Sequence, residues 1–211
     1  MNNMREPFMT AVFTASSHDP FRIPKRYKGV FPNGPHKIHQ CIGYTDHALR
    51  KFFAYAKRQD WYKNTLFVLT ADHTNVLSFP EYTNSKGLYE VPIAFYSPQW
   101  EQGELRTEGA VSQTDIMPSI LAYLGYKKPF FAFGEDALTQ PKKHPYAVCY
   151  NDPVFQMMTD SLLLQFKDHH TYAVYNYKQD PLLQKNIHSD CKTDTLDTYF
   201  KAYIQQYINR M

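Results

Sequence analysis

The most constraining stretch of this 211-residue chain is Thr65-Leu-Phe-Val-Leu-Thr-Ala-Asp72-His73-Thr74-Asn75. From Thr65 to Thr70 the run is continuously apolar apart from its terminal threonines, the pattern of a strand covered on both faces. It empties directly into an adjacent carboxylate and imidazole. Sheets of the α/β class gather their ligands at the carboxyl ends of strands. The run therefore predicts a buried strand with a candidate site at its end.

The flanking sequence places further elements around it. Phe8–Thr14 is short, apolar and rich in β-branched and aromatic residues, and reads as a second buried strand ending at Ser16-Ser17-His18-Asp19-Pro20. Residues 20–36 carry four prolines and two glycines and read as an extended loop. From Ile38 to Arg58 the apolar residues recur at helical spacing, with Arg50, Lys51, Lys57 and Arg58 toward the C-terminal end. Val91–Tyr96 reads as a third strand with Pro92 at its start, and Ser112 or Thr114 as the cap of a helix running through Leu124, stopped by Gly125. This order predicts an α/β core over residues 1–127, a largely parallel sheet flanked by helices. After about residue 128 the texture changes to short β-like runs at 146–150, 154–159, 162–166 and 171–175. An amphipathic tail follows from Thr193 to Ile208, with Leu196, Tyr199, Phe200, Tyr203, Ile204 and Tyr207 on one stripe. For residues 128–211 the expectation is a small antiparallel β subdomain and a closing helix packed on the core.

Composition removes several classes of function. Lys and Arg number 23 against 20 Asp and Glu, for a formal charge of +3, too balanced for a protein that binds nucleic acid by neutralising phosphates. Cys41, Cys149 and Cys191 are widely spaced and form no CxxC pair, which indicates buried free thiols in place of a disulfide framework or zinc ribbon. No apolar run approaches the roughly 20 residues that span a bilayer, and the first residues do not follow a signal-peptide pattern. No membrane contact by this stretch itself is expected. Nor does the sequence contain a GxSxG elbow, a GxxxxGK[ST] phosphate loop or an HExxH pair. Aromatic residues, at 16%, are the unusual resource, because they bury large areas while Tyr keeps a polar tip.

Four side chains are candidates for chemistry. Asp72 offers a hard anionic oxygen and His73 a borderline nitrogen, a combination suited to Mn²⁺, Zn²⁺ or Mg²⁺. The same dipeptide also suits a strand-end Asp that binds loop amides beside a solvated His. His18 sits just past the first expected strand, where it could donate to a developing negative charge or bond a neighbouring carbonyl. Lys86, ahead of the third strand, could bring a cation to an anionic substrate or simply be solvated. A catalytic metal site usually takes at least three protein ligands, so Asp72 and His73 make only part of one.

Taken in order, four stretches resemble the alkaline-phosphatase superfamily, specifically its sulfatase branch and the lipoteichoic-acid-synthase-like, phosphoglycerol-transferase-like sulfatases. They are Phe13-Thr-Ala-Ser-Ser-His-Asp-Pro-Phe21, Tyr44-Thr-Asp-His-Ala-Leu-Arg-Lys-Phe-Phe53, Trp61-Tyr-Lys-Asn-Thr-Leu-Phe-Val-Leu-Thr-Ala-Asp-His73 and Val91-Pro-Ile-Ala-Phe-Tyr-Ser-Pro98. Ser112–Leu121 and Tyr172–Pro181 are weaker matches. The resemblance implies that Asp72 and His73 bind a divalent metal ion (Mn, Mg, Zn or Ca). By the same likeness, His18 contacts the sulfate or phosphate group and Lys86 contacts substrate. The family's nucleophile and its N-terminal acidic ligands have no matching segment here. The resemblance thus implies the C-terminal half of a longer, membrane-anchored enzyme working at the extracytoplasmic face of the cell envelope. Its substrate would be a sulfate or phosphate ester. The half on its own is expected to be soluble, inactive, and able to form a homodimer through the face its missing partner would cover. The competing expectation is a non-catalytic α/β module that binds glycan or protein through aromatic loops.

Overall fold

The computed structural model describes residues 1–100, 109–190 and 192–210. The chain divides into two compact units, Met1–Ser78 with Val91–Glu104, and Phe79–Glu90 with Leu105–Met211.

In the first unit, helix α1 spans Ile38–Ala56 and buries Ile38, Cys41 and Ala56, three positions on the stripe expected from the sequence. It ends one residue before Lys57, so the basic residues at 57 and 58 lie at or beyond its end, while Arg50 pairs with Asp46 one turn earlier at 3.0 Å. Strands β1 (Phe67–Thr70) and β2 (Ile93–Tyr96) pair in the register Phe67↔Tyr96 to Thr70↔Ile93. Aromatic rings fill the space between helix and strands: Phe53 lies 5.1 Å from Phe67, and Phe67 lies 5.9 Å from Tyr96. Trp61 and Tyr62 close this cluster, and the Tyr62 and Tyr96 hydroxyls share a hydrogen bond of 2.8 Å.

Two expectations fail in this unit. The β1–β2 pair is antiparallel, whereas a largely parallel sheet was expected. Parallel neighbours need a crossover, usually a helix, to carry the chain back to the starting edge. Residues 71–92 contain only two single 3-10 turns, Pro80–Tyr82 and Gly87–Tyr89, so the chain re-enters beside β1 running the other way. Secondly, Phe8–Thr14 is not a strand. An apolar run becomes a strand only where a neighbour pairs its backbone groups. Among the described residues this run has no ladder partner, and Val12 and Phe13 are 74% and 75% exposed.

In the second unit the helices and strands lie close to the positions read from the sequence. Ser112 is a helix cap: its hydroxyl accepts from the Thr114 amide, and Asp115 returns the bond to the Ser112 amide, a capping box. Helix α2 (Ile116–Tyr123) follows. Strands β3 (Ala147–Asn151), β4 (Val154–Met158), β5 (Leu162–Lys167) and β6 (His170–Asn176) form an antiparallel meander in that order. Helix α3 (Asp194–Ile208) completes the unit. On one face of the sheet Met157 pairs across from Leu164, and both pack with Phe166, Val174 and the helix residues Phe200 and Ile204. The other face carries Gln156 directly opposite Gln165, with Cys149 opposite Gln156. Of the three cysteines, Cys41 is buried and Cys149 half-buried, both as free thiols, and burial pushes the Cys149 thiol up to about 12. Cys191 lies outside the described residues.

Candidate active site

Asp72 and His73 follow the last residue of β1 by two and three positions. Their side chains turn toward each other, with Asp72 Oδ2 3.5 Å from His73 Nε2. Two local bonds hold this posture. The other carboxylate oxygen accepts the His73 amide at 2.9 Å, and His73 Nδ1 lies 2.5 Å from the Thr74 carbonyl. A carbonyl only accepts, so Nδ1 carries a proton, and in the neutral ring Nε2 would be the nitrogen with a lone pair for a cation beside Asp72 Oδ2. An anionic oxygen and an imidazole nitrogen 3.5 Å apart could supply part of a divalent-cation site, and a carbonyl behind the imidazole is the usual outer support of a metal-binding histidine. Both side chains are more than half exposed, so a cation could reach them from solvent. Among the described residues no group of three or more His, Cys, Asp or Glu gathers as a complete site.

His18 is exposed, and its Nδ1 lies 2.8 Å from the Asp19 carbonyl. That contact engages Nδ1 in its own loop and leaves Nε2 as the other ring nitrogen, which would donate to an anion only as the doubly protonated imidazolium. Lys86 belongs to the other unit. Its side chain is only 19% exposed, its ammonium pairs with Glu90 one turn on, and it lies 5.5 Å over the Tyr177 ring. The structure thus draws Asp72 and His73 together, whereas the contacts described for His18 and Lys86 lie within their own surroundings.

The segment bearing Lys86 is held in detail. Asn84 Oδ1 accepts the amides of Lys86 and Gly87 at 3.1 and 3.0 Å, and Asn84 Nδ2 donates to the Pro181 carbonyl at 2.9 Å. Gln156 Nε2 donates to the Ser85 carbonyl, and Gln165 Nε2 to both the Ser85 hydroxyl and Gln156 Oε1. A buried amide costs stability unless bonded, and Ser85 supplies the partner that Gln156, only 1% exposed, requires. Sequence reasoning missed this grip. Its signal was a pair of glutamines in otherwise apolar strands.

A second polar centre also lay beyond the sequence reading. Lys142 and Asp115 form a buried ion pair at 2.8 Å, and the same ammonium donates to the carbonyls of Ala110 and Tyr146. Asp115 Oδ1 accepts the Glu135 amide at 2.8 Å. Beside it, Glu135 pairs with His144 Nδ1 at 2.5 Å and accepts the amides of Lys143 and His144. Burial works to raise the Glu135 carboxyl, but the bonds from His144 outweigh it and hold the group below its ordinary value. A small cavity of about 20 Å³, room for no more than a water molecule, is lined by these charged groups together with Phe133, Tyr146 and Tyr203. Ser112 was one of two caps the sequence offered, but the return bond from Asp115 was not foreseen, and nothing local marked Lys142 as the ion partner 27 residues on.

With fold and site in place, comparison with known proteins defines the class. The Sulfatase family model matches residues 1–126, and the chain belongs to that family. Its fold is that of the alkaline-phosphatase superfamily. A superfamily protein from Vibrio parahaemolyticus superposes with a TM-score of 0.71 at 20% identity, covering 93% of this chain and 49% of that one. Ps i-CgsB in complex with k-i-k-neocarrahexaose gives 0.64 at 16% identity, covering 91% and 47%. BT4656 in complex with its substrate D-glucosamine-2-N,6-O-disulfate gives 0.52 at 14% identity, covering 81% and 40%. The chain therefore spans about half the length of the solved structures it matches.

Proposed function

We propose that this chain supplies part of the active centre of a sulfatase-type enzyme that hydrolyses or transfers sulfate or phosphate ester groups, as its lipoteichoic-acid-synthase-like motifs suggest. Asp72 and His73 are the protein's donors to a divalent metal ion, His18 the contact for the tetrahedral anion, and Lys86 a further cation toward substrate. The observation that carries this reading is the convergence of Asp72 Oδ2 and His73 Nε2 to 3.5 Å at the carboxyl end of β1. A bound divalent ion would supply positive charge to the ester oxygens and lower the pKa of a coordinated nucleophile. The chain's own residues do the rest of the work described. Thr74 keeps the proton on His73 Nδ1, the Asp72 carboxylate is anchored by the His73 amide, and His18 presents its Nε2 edge. Sulfated sugars are a substrate class consistent with the ligand of BT4656, and the parent enzyme would act outside the cytoplasmic membrane.

Isothermal titration of the chain with Mn²⁺ and Zn²⁺ tests the donor assignment. Asp72→Ala and His73→Ala are each expected to weaken binding at least about tenfold. Unchanged affinity in both variants would remove the metal from this position and favour a non-catalytic module that binds through its aromatic loops.

A further inference from the structure

Residues 116–134 and 198–211 contain no Asp or Glu, in a chain with 20 of them. Both stretches lie in the second unit. The first contains the loop that follows α2, residues 124–131, in which every residue is exposed. Four of its members are large and apolar: Leu124 is 69% exposed, Tyr126 45%, Phe130 48% and Phe131 53%. Lys127 and Lys128 sit among them, also exposed.

The loop has a defined shape. Gly125, at φ +69°, makes the turn out of α2, where the Tyr126 amide bonds back to the Leu121 carbonyl at 2.9 Å. Tyr126 and Phe130 hold their rings 6.1 Å apart. The end of α3 joins the patch: the Arg210 guanidinium lies 3.9 Å over the Phe131 ring, and Ile208 beside it is 59% exposed. Aromatic rings, aliphatic side chains and cations thus share one surface built from two stretches that have no Asp or Glu.

We propose that this surface, the 124–131 loop with the C-terminal end of α3, docks peripherally on an anionic lipid bilayer. Aromatic side chains favour the headgroup boundary, where an apolar ring and a polar edge are both accommodated. Lysines and arginines flanking them are drawn to the negative surface potential of anionic lipids. A protein partner would need its own acidic patch set around an apolar centre; a bilayer supplies negative headgroups and hydrocarbon together. Among the described residues no helix is long and apolar enough to cross a membrane, so the contact is one of surface insertion. This departs from the sequence expectation of no membrane contact, which weighed spanning segments alone. It does not depend on the metal assignment.

Flotation of the full chain with phosphatidylcholine vesicles, with and without phosphatidylglycerol, tests it. Binding is expected only to the anionic vesicles and is expected to fall with salt, because exposed charges are screened. Lys127→Glu with Lys128→Glu should weaken it at least about tenfold, and Phe130→Ser with Phe131→Ser by a similar factor. In a Phe130→Trp chain, anionic vesicles should shift the emission to the blue, and lipids brominated on their acyl chains should quench it. No binding to anionic vesicles, binding that both double variants retain, or a Phe130→Trp emission unmoved by lipid would overturn the proposal. So would sedimentation showing a dimer that the Phe130→Ser, Phe131→Ser chain loses while vesicles are ignored, which would assign the surface to a second copy.

Discussion

Lys142 has all three of its ammonium hydrogens engaged, by the Asp115 carboxylate and by the carbonyls of Ala110 and Tyr146. With side chains 6% and 2% exposed, neither member of this pair can turn to water if the other is removed. Breaking such a pair usually costs about 3–5 kcal/mol, because the surviving charge stays buried without compensation. Lys142→Met is accordingly expected to lower the melting temperature of the chain sharply in a calorimetric scan, and a loss near zero would mean that Asp115 finds another partner or takes up a proton. The same carboxylate does several jobs at once: it closes the capping box with Ser112, receives the Glu135 amide and neutralises Lys142. Gly134 is tied to this centre by lack of room, since a Cβ there would collide with the Thr114 carbonyl and the Asp115 amide. The Asp72–His73 pair has the opposite setting. Its side chains are more than half exposed, so a change there is expected to cost the fold less than a change at Lys142.

Among the elements, the β3–β6 sheet has one greasy face and one polar one. The first is covered by α3 through Phe200 and Ile204, and the second grips the 79–90 segment through Gln156 and Gln165. Replacing Gln156 by Leu keeps the volume and removes the donor to the Ser85 carbonyl, at a cost of about 1–3 kcal/mol for the unpaired acceptor. The expected readout is a new tryptic cut after Lys86 while the β-sheet signal in circular dichroism persists; resistance equal to the parent chain would show that Asn84 and Gln165 hold the segment without Gln156. The same elements show what sequence could deliver. The meander and α3 were legible because alternation and helical spacing are local, and each strand meets its partner across a short turn. Helix α1 was legible for the same reason. The direction of β2 relative to β1 was not, because pairing sense depends on the path of the intervening 22 residues. Phe8–Thr14 was misread because an apolar composition records the wish for a cover without recording whether a paired neighbour exists. The donors Asp72 and His73 were legible as residue types at a strand end, whereas the Ser85 grip and the Asp115–Lys142 pair join residues far apart in sequence.

At the scale of the whole molecule, the chain belongs to the Sulfatase family and spans about half of the solved structures it matches. The donor pair after β1 is part of a centre, and no group of three donors assembles among the described residues. The chain by itself, supplied with Mn²⁺, is therefore expected to turn over aryl sulfate and aryl phosphate esters no faster than background. Robust turnover, abolished by Asp72→Ala, would place a nucleophile within these residues. The division into units carries a consequence of another kind. The chain leaves the first unit after Ser78, contributes Phe79–Glu90 to the second, and returns at Val91 to lay β2 beside β1. Neither unit is one uninterrupted piece of gene. No single deletion, fusion joint or crossover between relatives can exchange one of them whole. Any transplant of the sheet that grips the 79–90 segment must carry an internal insertion as well as a tail, so the two units are bound to be inherited together.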